Sequence, residues 1–333
     1  MKKVERRIRR GWVAESECEL PRRGALAFLS QLCCAITLTS FLKYAIINLI
    51  IKGVAVTSDG NMKIMKIVTL VENTCGHENC IAEHGLSVYI KTEKHKLLLD
   101  CGQTDAAVKN AEILGIDLTV VDTVILSHGH YDHSGGIMPF SRINNTAQII
   151  MQKSTAEPHY NGERYIGIDK DILGLPNVRL IEGDIKLDDE LFLFSGITGR
   201  RCYPQGNRKL LRDWGGEKIQ DDFAHEQCLV IEQEGKRWLL SGCSHNGILN
   251  ILDRYKEIFG GTPDHVITGF HMMNNDGEHT DEEKAIIIQT ARELAQMDTV
   301  FYSGHCTGIP AFELMKTIMG DKLIALHSGE EVI

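Results

Sequence analysis

Four separate apolar, strand-like runs in this chain each finish on a small or aromatic residue followed by a histidine. They are VILS before His128, WLLSGCS before His245, VITGF before His271 and VFYSG before His305. Short apolar runs of this kind are buried strands. In an open α/β sheet the C-terminal ends of neighbouring strands gather at one edge, where such folds place ligand sites. A chain that repeats the pattern four times must bring imidazoles from positions 128 to 305 to a common rim. One such histidine would ordinarily be a hydrogen-bonded structural residue; four of them, with the cluster HGHYDH at 128–133, point to a metal site.

The spacing inside that cluster agrees. In extended backbone, side chains two apart share a face, so His128 and His130 can reach one ion across Gly129. On a helix the same two would diverge. The turn toward Ser134-Gly135-Gly136 can then bring Asp132 and His133 to a second ion. Imidazole and carboxylate suit zinc, manganese or iron. Two such ions roughly 3.5–4 Å apart can clamp a phosphoryl or carbonyl oxygen.

Around these runs the chain alternates strand and helix. LSVYIKT and HKLLLDCG read as a hairpin across EKH, and QCLVIEQEGKRWLLSG as a second one turning at Glu234-Gly235. DAAVKNAEILGI, GILNILDRYKEIF and DEEKAIIIQTARELAQM carry helical periodicity, the last opening on Thr280 and Asp281 as a cap. This mixture predicts an α/β fold with helices packed on the outer faces of sheets. The stretch at about 154–224 is rich in Gly, Arg, Asp and Pro and too long for a simple connection. It reads as a cap or insertion shaping a substrate pocket. In it, His159, Arg164, Arg200 and Arg201 are candidates to hold a substrate phosphate, bidentately where arginine.

With 333 residues, 43% hydrophobic and 24% charged, the chain has material for a soluble domain with a real core. The formal charge of -9 argues against a nucleic-acid partner, whose footprint is basic. The charge is split: residues 1–61 hold ten Lys and Arg against five Asp and Glu, net +5, leaving -14 for the remainder. That basic, then apolar, extension reads as a translation artefact, a disordered leader or a membrane anchor through residues about 25–56, with MKIMKIVTLVEN as a second natural start. The expected catalytic domain is 62–333. The ten cysteines show no disulfide framework, and Cys101, Cys228, Cys243 and Cys306 lie in or beside apolar runs. That usage suits a reducing cytoplasm. Cys75, His77 and Cys80 lack a paired second half and read as an ordinary loop.

The sequence His128-x-His130-x-Asp132-His133 resembles the HxHxDH signature of the metallo-β-lactamase superfamily. With TLVEN, EHGLSVYI, LLLDCG, SGCSHNGILNIL, TGFHM and SGHCTG it is similar to that superfamily's dihydropterin synthase-like subfamily, from about Met65 to the C-terminus. The resemblance implies an αββα sandwich. It implies one or two divalent ions, zinc above all. One would lie at His128, His130 and His245, the other at Asp132, His133 and His305. Asp100 would support the metal loop, and Asp132 would orient the attacking group. The superfamily's bridging aspartate is replaced by Cys243, which reads as a thiolate ligand or as a buried inert residue. His271 is expected at substrate or in proton transfer, and His225 at the surface or behind the ligands. His77, His84, His95, His265, His279 and His327 have no partner spacing and read as surface or structural.

Three activities stand as expectations. The first is a metal-dependent hydrolase of a phosphorylated or ester-type small molecule. The second is a transferase joining a dihydropterin diphosphate to a ribofuranosylaminobenzene 5'-phosphate. The third is a non-catalytic metal- or ligand-binding domain, possession of a full ligand set counting against it. A small-molecule substrate and a homo-oligomer are the expected partners, with a membrane involved only through the N-terminal extension.

Overall fold

The computed structural model describes residues 65–274 and 277–333, which belong to one compact unit, Ile64–Ile333. The expectations for residues 1–61 lie outside the described residues. The first sheet has the order β1 (Lys66–Val71), β2 (Ser87–Lys91), β3 (Lys96–Leu99), β4 (Thr123–Ile125), β5 (Gln148–Gln152), β8 (Val178–Ile181). β1 to β3 run antiparallel and β3 to β8 parallel. The second has the order β9 (Ile185–Lys186), β10 (Leu191–Phe194), β13 (Cys228–Gln233), β14 (Lys236–Leu240), β15 (His265–Ile267), β16 (Val300–Ser303), β17 (Leu323–Ala325). Its last four strands are parallel.

Period-two alternation sorts the strand side chains into layers. Val88 and Ile90 of β2, Leu97 and Leu99 of β3, Leu229 and Ile231 of β13, and Trp238 and Leu240 of β14 meet between the two sheets. The alternate residues face outward. Leu98, Val124 and Ile149 of the first sheet pack with Ala107 and Ala111 of α1 (Ala106–Ile113). The one-turn helix α2 (Tyr131–Ser134) leads into α3 (Ile137–Ser141), whose Phe140 joins the same layer. Val230, Leu239, Val266 and Phe301 of the second sheet pack with α4 (Ile248–Phe259), α5 (Asp281–Ala295) and α6 (Ile309–Met319). The result is the αββα sandwich. Each fully buried Leu or Ile contributes roughly 1.5–3 kcal/mol, and a one-residue register slip would exchange the two faces of a strand, so the pattern fixes the register. Thr280 and Glu283 form a capping box at the start of α5. Glu234 and Gly235, with φ of 54° and 72°, make the tight turn between β13 and β14.

The stretch 154–224 is not one insertion. β8, β9 and β10, at 178–194, complete the edges of the two core sheets. The cap is a separate four-stranded sheet, β12 (Glu217–Gln220), β11 (Leu210–Trp214), β6 (His159–Asn161), β7 (Arg164–Tyr165), drawn from both sides of those strands. Ile166, Leu210 and Phe223 are its small core. Among the described residues, no helix is long and apolar enough to cross a membrane.

Candidate metal centre

β3 and β4 end at the same rim as β14, β15 and β16. Asp100 comes directly after β3, the metal loop with α2 after β4, and His245, His271 and His305 after the other three. The chain turns sharply there. Asp100, Ser244, His271 and His305 all take left-handed backbone conformations, with φ of 59°, 55°, 50° and 47°, a conformation that costs free energy in non-glycine residues and clusters at functional sites. Glycine is required after β14, since a Cβ on Gly242 would run into Ser127 Oγ.

Each imidazole is aimed by what its Nδ1 touches. His133 Nδ1 donates to Asp100 Oδ2 at 2.7 Å. The same carboxylate accepts Ser127 N and Ser127 Oγ, each at 2.7 Å. With its hydroxyl hydrogen given to Asp100, Ser127 Oγ accepts from His128 Nδ1 at 2.8 Å. His245 Nδ1 donates to Asn207 Oδ1 at 3.0 Å, and His305 Nδ1 to Asn73 Oδ1 at 2.9 Å. A neutral imidazole carries one N–H, so in that form each of the four rings presents an Nε2 lone pair inward. These meet in pairs: His128 and His245 Nε2 are 3.3 Å apart, His133 and His305 Nε2 3.1 Å. Asp132 Oδ2 is 3.3 Å from His305 Nε2 and 3.7 Å from His133 Nε2.

Facing lone pairs repel unless a cation lies between them. Tetrahedral ligands with bonds of about 2.0–2.1 Å stand about 3.3–3.4 Å apart, close to the spacings here. His128, His130 and His245 are one set with the donors and the geometry to hold divalent metal, and Asp132, His133 and His305, at the distances just given, are another; His130 also stands within reach of His159, Asp221 and His225. The first two are the sets implied by the resemblance. All six residues are buried. Burial, reinforced by neighbouring imidazoles, holds His128, His130 and His245 well below the usual histidine range and so in the neutral, ligating form. For Asp132, burial is outweighed by His133, His305 and His84, which hold its carboxyl well below the usual range. Burial of His133 is outweighed by Asp100 and Asp132, which raise it. Cys243 Sγ lies 3.1 Å from His133 Nε2, against the second group.

Two positions, His159 and His84, differ from expectation, and a third, His225, takes the second of its two expected places, behind the ligands: it is buried, accepts Gly129 N at 2.9 Å through Nδ1 and faces Asp221 Oδ2 at 3.3 Å through Nε2. With both nitrogens engaged, it braces the backbone between His128 and His130. His159 is no phosphate ligand at the mouth. It is fully buried, donates from Nδ1 to Asp221 Oδ2 at 2.9 Å and lies against His225 with the two rings tilted by 44°. His84, read as surface or structural, places Nε2 3.3 Å from Asp132 Oδ2. Sequence reasoning missed Asp221, Asn207, Asn73 and Glu72, whose Oε1 accepts His305 N at 2.5 Å. Glu72 and Asn73 lie within the TLVEN run that carries the resemblance, whereas no signal in the sequence marks Asn207 or Asp221.

The groups open into a cavity of about 570 Å³ lined by His84, His130, Asp132, Cys243, His245, His271 and Cys306 on one side and by Asn161, Arg164, Gln205, Arg208 and Lys209 of the cap on the other. Arg164 lies over the Tyr131 ring at 4.8 Å. Arg200 instead lines a second cavity, of about 680 Å³, and bonds Asn246 Oδ1 at 3.2 Å. Arg201 is paired with Asp253 and Glu293 on α4 and α5. Of the remaining histidines, His95 bridges Asp122 and Asp188, His265 stacks on Trp238, His279 donates to Met272 O, and His327 meets Thr74.

The family model described as the metallo-beta-lactamase superfamily matches residues 81–272, more than half the chain, and the chain belongs to that superfamily, whose members are usually metal-dependent enzymes. A solved structure described as a metal-dependent hydrolase of the beta-lactamase superfamily is 29% identical, with a TM-score of 0.70, over 81% of this chain and 99% of its own. A 7,8-dihydropterin-6-methyl-4-(beta-D-ribofuranosyl)-aminobenzene-5'-phosphate synthase of Methanocaldococcus jannaschii is 27% identical over 81% of this chain and 97% of its own length. An uncharacterized protein of the same organism is 28% identical over 79% and 98%.

Proposed function

We propose that this protein is a metal-dependent hydrolase of a phosphorylated or ester-type small molecule, using one or two divalent ions, zinc first among them. One observation carries the reading: four buried imidazoles, each with Nδ1 tied to an oxygen acceptor, turn Nε2 lone pairs toward one another at 3.1–3.3 Å. Three protein ligands per ion leave open coordination, the mark of a catalytic rather than a sealed structural site. That argues against a non-catalytic binding domain. Bound metal would supply a Lewis acid for a phosphoryl or carbonyl oxygen and an acidified water. The chain's own contribution is placement. Asp100 and Ser127 fix the tautomers of His133 and His128. Asp132, with Oδ2 facing the cavity beside His84 and His305, orients the attacking water. Arg164 and Arg208 on the cap side of the cavity suit an anionic substrate, since guanidinium binds phosphate oxygens in a fixed fork.

A second reading, transfer of a dihydropterin to an arylamine with diphosphate as leaving group, is favoured by the synthase relative that this chain matches along 97% of its length. The same centre would serve either reaction. Metal-loaded protein is assayed on phosphodiester and ester model substrates, and separately on a pterin diphosphate with its arylamine partner. Hydrolysis abolished by His130→Ala is the expected result. Coupling without hydrolysis would replace the hydrolase reading with the transferase one, and neither activity would overturn both.

A further inference from the structure

Beside the two nitrogen and oxygen groups stands a third set of donors with different chemistry. Cys243, His271 and Cys306 come just after three neighbouring parallel strands, β14, β15 and β16, and one donor atom from each lies within 4.8 Å of the other two. Both cysteines are free thiols and buried. All three residues contribute to the floor of the cavity at the metal centre. The backbone makes room for them. Gly269 has no side chain where a Cβ would collide with Cys306 Sγ, and His271 takes the left-handed conformation that brings its ring into the group. His271 Nδ1 is a buried nitrogen with no hydrogen-bond partner, which a folded protein leaves unsatisfied only at a cost.

We infer that Cys243, His271 and Cys306 form a third cation site, with two sulfurs and one nitrogen, that takes a thiophilic divalent ion such as zinc or cadmium. Sulfur ligands select such ions over the harder cations that carboxylate and water suit. Binding converts two thiols to thiolates and releases two protons to solvent, the ion taking their place. Cys243 Sγ, 3.1 Å from His133 Nε2, then bridges this site to the Asp132, His133 and His305 group. The inference goes beyond the proposed hydrolysis and does not depend on it.

The test is a titration of metal-stripped, reduced protein with cobalt(II) alone, following ions bound per chain and the near-ultraviolet thiolate-to-cobalt charge-transfer band. The wild type is expected to bind three ions. Cys306→Ala should bind two and keep about half of the band, through Cys243. His130→Ala, which damages only the first group, should lose an ion and keep the whole band, so failure of the hydrolase site is told apart from failure of this one. A wild type that binds cobalt without a thiolate-to-cobalt band, or a Cys306→Ala protein with undiminished stoichiometry and band, overturns the proposal. Should that variant not fold, anomalous diffraction from cadmium-loaded wild-type crystals decides: a peak bonded to Cys306 Sγ and His271 Nδ1 sustains the site, and peaks confined to the other two groups remove it.

Discussion

Replacing Asp100 with asparagine tests how the fold aims its ligands. The aspartate makes three buried hydrogen bonds: Oδ1 accepts Ser127 N, and Oδ2 accepts both Ser127 Oγ and His133 Nδ1, all at 2.7 Å. Asparagine has the same shape. Its single oxygen must stay on Ser127 N, because a backbone N–H can only donate. The amide nitrogen then sits where Oδ2 was and presents hydrogens to His133 Nδ1. To accept them, His133 must move its own proton to Nε2, the atom that faces His305 and Asp132. The lone pair needed for metal is lost. Removing such an outer partner costs about 10–100-fold in metal affinity, or about 1.4–2.8 kcal/mol at 1.4 kcal/mol per tenfold. The metal-free protein should lose about 2 kcal/mol, since hydrogen bonds to charged groups contribute about 1.5–3 kcal/mol each and the amide recovers part of that. His128 is reached only through Ser127 Oγ, so the first ion should weaken by less than about tenfold, below that range. Competition against a chromophoric chelator resolves the two affinities. Equal weakening of both ions, or no change in the second, would refute the tautomer argument.

The geometry sets two further outcomes. At His95 the effect of burial is outweighed by hydrogen bonds to Asp188 and Asp122, so the imidazole is held above its ordinary value. Its stabilisation is then full below the unfolded value of roughly pH 6.5 and disappears as pH rises through the higher folded value. His95→Gln should cost about 1–2 kcal/mol in urea unfolding at the acid end, with the difference narrowing at alkaline pH; a constant difference across that range would count against the charged pair. Arg164→Gln should raise KM for a phosphorylated substrate about tenfold, the equivalent of one charged hydrogen bond of roughly 1.4 kcal/mol, and leave kcat within about twofold. Equal KM values for the two proteins would place phosphate elsewhere.

The strand-and-histidine pattern was legible in the sequence because it is local: apolar runs of three to six residues set the strands, and parallel strands deliver their trailing residues to one edge. The hairpin at Glu234-Gly235 and the Thr280 cap were legible for the same reason, each resting on adjacent residues. The features concealed in the sequence are relational. His84 precedes β2 in an exposed loop, and nothing in its neighbours announces that Asp132 lies within reach. His159 comes from a cap strand, Asp221 and His225 from the loop between β12 and β13, and only the folding of the cap over the metal loop turns them into one hydrogen-bonded brace. The stretch 154–224 looked uniform in composition, yet β8 to β10 inside it carry the Ile181, Leu191 and Leu193 that finish the core between the sheets. Arg201 reads as a candidate phosphate ligand until α4 and α5 supply Asp253 and Glu293 as its partners. Helix α6 also went unread. Its start, Gly308-Ile309-Pro310, looks like a breaker but is a helix opening with proline in the first turn.

Crystals soaked in zinc and measured across its absorption edge test the central claim directly. Two of the anomalous peaks are expected about 3.5–4 Å apart, one bonded to His128, His130 and His245 and the other to Asp132, His133 and His305, beside the peak expected at Cys243, His271 and Cys306. Zinc held instead by His159, Asp221 and His225, with the inward-facing nitrogens of His128 and His245 left bare, would contradict it.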